Sequence, residues 1–322
     1  MLPRRRLDGA DEVVPVVPEA SAMAAEMPNT TVSRWLPTRP GGRGRGRPAR
    51  ETGPMELPSA LYLPTTEGYT ATALTIGPWD PGLQHAGPPA ALLAREAERA
   101  SGIAGGQTVR LNYDILGPVP VGQVQIRATV LRPGRRVELV EAVLDAGDGR
   151  PLMRLTAWRM RTRTADLPSA AGGPAAESPH PAPAEATASR REEAAFFSSE
   201  VAYHKALDWR FASGSFNSPG PAAAWTRPEC TLVAGEPISP LQHLLVMTDA
   251  ASGISAVLDW RTATFANVDL SVALHRPPRG EWLGMDAVTV LGDSGAAQCS
   301  AVLFDEDGAI GRSTQSLFVE PR

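Results

Sequence analysis

The strongest constraint on this chain is that it repeats itself. Val109-Arg-Leu-Asn-Tyr113 recurs as Val268-Asp-Leu-Ser-Val272, and Leu144-Asp-Ala-Gly-Asp-Gly149 as Leu303-Phe-Asp-Glu-Asp-Gly308, each 159 residues later. At the same offset, Leu116-Gly-Pro-Val-Pro120 answers to His275-Arg-Pro-Pro-Arg279. A duplicated pattern of this kind means two copies of one supersecondary unit. Each copy reads as one helix followed by alternating extended runs. In the first, a helix over 87–100 precedes strands at 108–116, 122–131, 135–145 and 151–161. In the second, a helix over 240–253 precedes strands at 266–275, 281–291, 296–305 and 309–319. Shorter extended runs at 60–63 and 69–76, and at 204–212 and 222–227, lead into the two helices. The Asp-Gly pairs at the repeated hairpins predict tight turns with positive φ. One helix and an antiparallel meander, given twice, is an α+β arrangement in which a sheet wraps around a central helix.

Two stretches fall outside the repeat. Residues 1–56 are rich in Pro, Gly and Arg without sustained periodicity, the composition of a disordered tail. Residues 164–195 are rich in Pro and Ala and read as a linker, leaving an N-terminal unit at 57–163 and a C-terminal unit at 196–322. Residues 1–50 hold nine Arg against five acidic residues, while residues 51–322 carry 22 basic and 30 acidic side chains. A folded part this acidic argues against nucleic-acid binding, and the Gly41–Arg47 Arg/Gly tract lacks the strand and helix that would make it a phosphate loop. The basic residues are 30 Arg and one Lys, a coding bias given no mechanistic weight. No run approaches the length of a membrane span, and no apolar region follows Arg4-Arg5-Arg6, so a cytoplasmic protein is expected. Cys230 and Cys299 stand apart with no metal-ligand spacing, and no metal or cofactor is called for.

The candidate chemistry sits in the second copy. On a helix over 240–253, Leu241, Leu244, Leu245, Thr248 and Ser252 share one stripe, and Asp249 lies on its edge. A carboxylate there must be paired, hydrogen-bonded or used. Asn267 and Gln315 lie on strands at 266–275 and 313–318, and the expectation is that all three side chains meet. Asp269 shares the face of Asn267 and is the alternative acid. A carboxylate with two amides can deprotonate and fix a water, and N–H groups at a buried helix N-terminus can polarise a carbonyl. Asp249 acting as base and Asp249 attacking as nucleophile both remain open. Aligning Ala86 with Leu241 sets Ala94 opposite Asp249, so the first copy offers no matching acid and one catalytic centre per chain is expected. Trp158, Trp260, Phe265 and Trp282 are the aromatic candidates for an apolar tunnel wall. No G-x-S-x-G elbow, H-E-x-x-H pair or phosphate loop occurs.

These residues resemble a known family. The duplicated helix-and-meander unit is similar to the double hotdog of the acyl-CoA thioesterase II type and its actinobacterial thioesterase-like relatives. Leu83-Gln-His-Ala-Gly-Pro-Pro-Ala-Ala-Leu-Leu93 resembles the family's His-Gly-Gly entry to the first helix, with Ala86 at the middle position. Residues 239–253, Asn267-Val-Asp-Leu-Ser271 and Ser313-Thr-Gln-Ser316 resemble the Asp-bearing helix, the strand after it and the Gln-bearing strand. The resemblance implies a hydrolase of fatty acyl-CoA thioesters, acting in fatty acid metabolism. Asp249, Asn267 and Gln315 would be catalytic, and His85 and Gly87 substrate-binding, with acyl-CoA as partner and a homodimer expected. Asn267 stands where the family commonly has Thr. A non-catalytic acyl-CoA or lipid-binding protein on the same fold is the alternative.

Overall fold

The computed structural model describes residues 57–162, 192 and 194–322, so the tail and nearly all of the linker lie outside the described residues. The first half runs β1 (Ala60–Pro64), β2 (Tyr69–Ala71), α1 (Gly87–Ala100), β3 (Gly106–Ile115), β4 (Gln123–Arg132), β5 (Val137–Asp145) and β6 (Met153–Arg161). The second runs β7 (Leu207–Ser215), β8 (Ser218–Pro228), β9 (Thr231–Val233), α2 (Pro240–Thr248), α3 (Ala251–Ile254), β10 (Ala263–Asn267), β11 (Asp269–Leu274), β12 (Leu283–Leu291), β13 (Ala296–Asp305) and β14 (Gly308–Pro321). The molecule is mostly sheet, as the repeated meanders predict.

The strands pair in the order β7-β8-β12-β13-β14-β11-β3-β6-β5-β4-β2-β1-β9, with β10 alongside β14. The halves join where β11 runs antiparallel to β3. At that seam Asn112 faces Ser271, and Leu111 and Tyr113 face Val272 and Leu270. Asn112 and Ser271 are repeat equivalents, so the two copies meet across a local two-fold axis. A second tie, absent from the sequence pattern, is β9 of the second half pairing parallel to β1 of the first.

Each helix buries its apolar stripe on its own meander. In α1, Ala90, Ala91, Leu92, Leu93, Ala94 and Ala97 are buried against β4, β5 and β6. In the second half Leu244, Leu245, Met247 and Ile254 join one core with Leu283, Met285 and Leu303. The helices also pack on each other through the start of α1. Gly87 permits this approach, since a Cβ there would overlap the Val246 carbonyl oxygen.

The repeated hairpins hold a small surprise. Asp145 accepts the Gly147 N–H at 2.7 Å, and Asp305 accepts the Asp307 N–H at 2.9 Å, both as buried turn-closing carboxylates. These partners lie 160 residues apart, one more than the repeat offset, because the second turn is shorter. It closes on Gly308 at φ 116°, while the first uses Gly147 and Gly149 at 93° and 76°.

Four expected elements are redrawn, the first being the run at 204–212, whose start is a 3-10 turn at Tyr203–Lys205 ahead of β7. The run at 69–76 is only Tyr69–Ala71, followed by a single 3-10 turn at Ala73–Thr75. The strand over 266–275 divides at Val268 into β10 and β11. The helix over 240–253 starts on a Ser239–Gln242 capping box but stops at Thr248, with α3 resuming at Ala251. Thr248 Oγ1 donates to the Leu244 carbonyl at 2.5 Å, a back-bond that loosens the last turn.

Candidate active site

The break between α2 and α3 is where the polar residues gather. Asp249 caps α2 and is 5% exposed. Asn267, the last residue of β10, donates from Nδ2 to Asp249 Oδ1 at 2.7 Å. Gln315, on the inner face of β14, donates from Nε2 to the Asp249 carbonyl at 3.0 Å and lies 3.4 Å from Oδ1. Its Oε1 accepts the Ser252 N–H at 3.2 Å. Gln315 thus satisfies the two backbone groups that the helix break frees, a carbonyl ending α2 and an N–H beginning α3. The sequence places these three residues together, and the geometry brings them within hydrogen-bond reach. Asp269 instead turns outward, accepting the Ser316 N–H at 2.6 Å, so it does not compete for the acid's position.

The first half supplies the other side. His85 Nδ1 lies 2.9 Å from Asp249 Oδ2. That separation requires a proton between them, so Nδ1–H is the donor. The Gly87 N–H is 3.2 Å from the same nitrogen, but a protonated Nδ1 cannot accept it. It bonds instead to the Asp249 carboxylate, which it also helps keep ionised. His85 stacks on Tyr203, with ring centroids 3.7 Å apart and planes 3° from parallel. Tyr203 in turn donates its hydroxyl to the Val246 carbonyl at 2.6 Å, one turn before Asp249. His85 and Gly87 were singled out in the sequence for substrate binding; their nearest partner in the fold is the carboxylate itself. Tyr203 carried no sequence signal, because nothing local links it to a histidine 118 positions earlier.

Burial pushes the Asp249 pKa up. The neighbouring His85 charge and its hydrogen bond, the Asn267 amide and the Gly87 N–H push it down, and together they prevail. The carboxyl is therefore held below the ordinary carboxylate range and is ionised at neutral pH.

The expected row of donors at the helix start is cut to one. Pro88 and Pro89 have no N–H, and the Ala90 N–H is spent on the Ala86 carbonyl at 3.0 Å. Only the Gly87 N–H remains outside the helix ladder. In the first half Ala94 is buried, while Glu96 holds Tyr69 at 2.8 Å and Glu98 holds Thr108 at 3.1 Å. The proposed aromatic tunnel wall is corrected for three of its four residues. Trp282 belongs to a separate buried cluster with Trp225 and Phe304, Trp158 lies under the Arg132 guanidinium, and Trp260 packs on Phe196. Trp260 lies in the turn before β10, off the sheet; of the four, Phe265 alone lines the small cleft beside the site. Among the described residues no group of His, Cys, Asp and Glu is arranged to hold a metal ion, and no helix is long and apolar enough to cross a membrane.

The comparisons with known proteins fall on this architecture. The acyl-CoA thioesterase N-terminal domain matches residues 75–160, and the acyl-CoA thioesterase C-terminal domain matches residues 174–319. No curated protein matches the chain. Among solved structures, a putative thioesterase II from Thermobifida fusca is 20% identical, covering 81% of this chain and 96% of its own, with a TM-score of 0.62. A protein of unknown function with a hot dog fold from Alicyclobacillus acidocaldarius is 17% identical over 78% of this chain and 92% of its own, TM-score 0.60. A putative thioesterase from Novosphingobium aromaticivorans is 19% identical over 81% and 92%, TM-score 0.58. At such identities the likeness is one of fold, and the fold is the hotdog. With two thioesterase domains matched in tandem across most of its length, the chain belongs to the acyl-CoA thioesterase family.

Proposed function

We propose that the protein is a double hotdog thioester hydrolase that cleaves fatty acyl-CoA at one centre per chain. The units are 57–163 and 196–322, joined by 164–195. The observation that carries the reading is the buried, ionised Asp249 carboxylate, held by Asn267 from the second half and by His85 from the first. Asp249 accepts a proton from water as the water oxygen attacks the thioester carbonyl carbon. Asn267 and Gln315 fix the carboxylate and the water against each other. His85 and Gly87, both bound to the Asp249 carboxylate, border the approach by which the thioester reaches it. The C–S bond then breaks, and the departing CoA thiolate takes up the proton. We assign the chain a homodimer, with sheet edges as the contact.

The test is thiol release from a panel of acyl-CoAs by the wild type and by Asp249→Ala. Turnover lost at least about a hundredfold in the variant supports the reading, that being the scale of a missing general base. A second reading, acyl-CoA binding without turnover, draws on one feature: Asn267 already spends its amide on Asp249 at 2.7 Å. Tight binding with no thiol release across the panel would select it.

A further inference from the structure

Tyr203 touches both sides of the candidate site, and its contacts divide among backbone, ring and hydroxyl. It opens the 3-10 turn at Tyr203–Lys205, which the Ala206 N–H closes on the Tyr203 carbonyl at 2.9 Å. From that turn the Tyr203 N–H donates to the Ile76 carbonyl at 3.0 Å. The His85 N–H donates to the adjacent Thr75 carbonyl at 2.8 Å, so one short stretch of the first half holds the backbones of both residues. With the backbones fixed, the two rings lie face to face. Trp209 packs edge-on against the tyrosine, with centroids 6.4 Å apart and planes at 63°, and Tyr203 is buried. The phenol ring therefore has little room to turn.

The hydroxyl meets a carbonyl that the helix break has left short of a donor. In an uninterrupted helix the Val246 carbonyl would accept the Ala250 N–H. Here the Ala250 N–H bonds to the Met247 carbonyl at 3.0 Å, and the Tyr203 hydroxyl takes its place on Val246 at 2.6 Å. The break beside Asp249 is thus served from two directions. Gln315 of β14 takes the Asp249 carbonyl and the Ser252 N–H, and Tyr203 takes the Val246 carbonyl. Burial, with the Asp249 charge nearby, pushes the Tyr203 pKa well above its ordinary value, so the hydroxyl stays a donor at neutral pH. One side chain holds α2 just ahead of the acid by its tip and carries the acid's histidine partner on its face.

We propose that Tyr203 is a positioning residue of this site: anchored to α2 by its hydroxyl, it holds the His85 ring in the plane that delivers Nδ1–H to Asp249. It acts through His85 rather than on the reacting atoms. This rests on the hydrolase reading above only in calling Asp249 the acid. The test uses no substrate, so absent turnover would leave the proposal standing, and failure of the proposal would leave the hydrolase reading standing. Nitrogen-15 NMR of the full chain with labelled histidine, at neutral pH, follows the His85 Nδ1–H and its exchange with solvent. The signal is assigned by its loss in His85→Ala. Tyr203→Phe removes the hydroxyl anchor and should speed that exchange about tenfold, the scale of one lost hydrogen bond. Tyr203→Leu also removes the stacked ring and should add about another tenfold. His243, buried against Thr226 of β8, is the internal control, and its ring resonances should keep their positions in both variants. If Tyr203→Leu does not fold, Tyr203→Phe, which deletes a single oxygen, decides alone. Unchanged exchange in Tyr203→Phe, or a wild type without a protected Nδ1–H, would overturn the assignment. So would His243 resonances that shift together with those of His85, since that would be a general loosening of the core.

Discussion

Gln315 offers the sharpest structural test, because one side chain holds both ends of a broken helix. Gln315→Met keeps the length and volume of the side chain and removes every hydrogen bond it makes. The Asp249 carbonyl then loses its donor at 3.0 Å and the Ser252 N–H its acceptor at 3.2 Å. Both groups belong to residues under 9% exposed, so water does not readily replace the amide. An orphaned buried donor or acceptor costs roughly 1–3 kcal/mol, so the pair should cost about 2–6 kcal/mol. The assay is equilibrium unfolding in urea followed by far-ultraviolet circular dichroism, with stability read by linear extrapolation. A loss under about 1 kcal/mol, with an unchanged slope, would refute the clamp, since it falls below the cost of even one orphaned group. Gln315→Glu separates clamp from charge. Its carboxylate can still accept the Ser252 N–H, but it places a second acid about 3.4 Å from Asp249 Oδ1. Two carboxylates so close resist joint ionisation, so the variant should take up a proton and titrate at higher pH than the wild type.

Other outcomes follow from the same geometry. His85→Ala removes the largest influence lowering the Asp249 pKa, so the acid limb of the pH–rate profile should move to higher pH; an unmoved limb would deny the pairing. In the wild type, the stability from ionised Asp249 is complete above its ordinary value of 3.8 and is lost as the pH falls below that, towards the lowered folded value. His243 is buried beside Thr226 Oγ1 at 2.8 Å, and burial takes its pKa from 6.5 down to about 3. The unfolded chain therefore binds this proton first, and stability should fall as the pH drops from 6.5 towards 3, by an amount on the order of 5 kcal/mol. His243→Gln should flatten that part of the stability curve, and an unchanged slope would contradict the buried neutral imidazole. Light scattering should give twice the chain mass of 34.1 kDa, and a monomer would contradict the dimer.

The fold was legible where local pattern and repeat agree. Two helices and their meanders follow from the 159-residue offset and strand alternation, whereas the seam that sets Asn112 against Ser271 came only with the structure. Asp249, Asn267 and Gln315 could be brought together because each sits on an element with a readable face. The pairing of His85 with Asp249 was not legible: it is set by how α1 approaches α2, which depends on Gly87 lying against Val246. The helix break at Asp249 was hidden for a similar reason. The periodicity continues through it, and only Gln315, 66 residues away, accepts the cost of interruption. Composition alone could not sort the aromatics either, since Trp282 and Phe265 look equally suited to a tunnel until the sheet faces are known. The loss of donors at Pro88 and Pro89 was visible in the sequence all along, and its meaning waited for the helix start to be fixed at Gly87.

The central claim is that Asp249 performs the chemistry and that its neighbours hold it ready. Asp249→Asn keeps the shape of the side chain while removing its capacity to take a proton. Thiol release from a panel of acyl-CoAs, measured beside affinity for the matching non-hydrolysable S-alkyl-CoA thioethers, tests this most directly. The account predicts turnover reduced at least about a hundredfold with thioether affinity retained. Turnover within a few-fold of wild type would place the chemistry elsewhere.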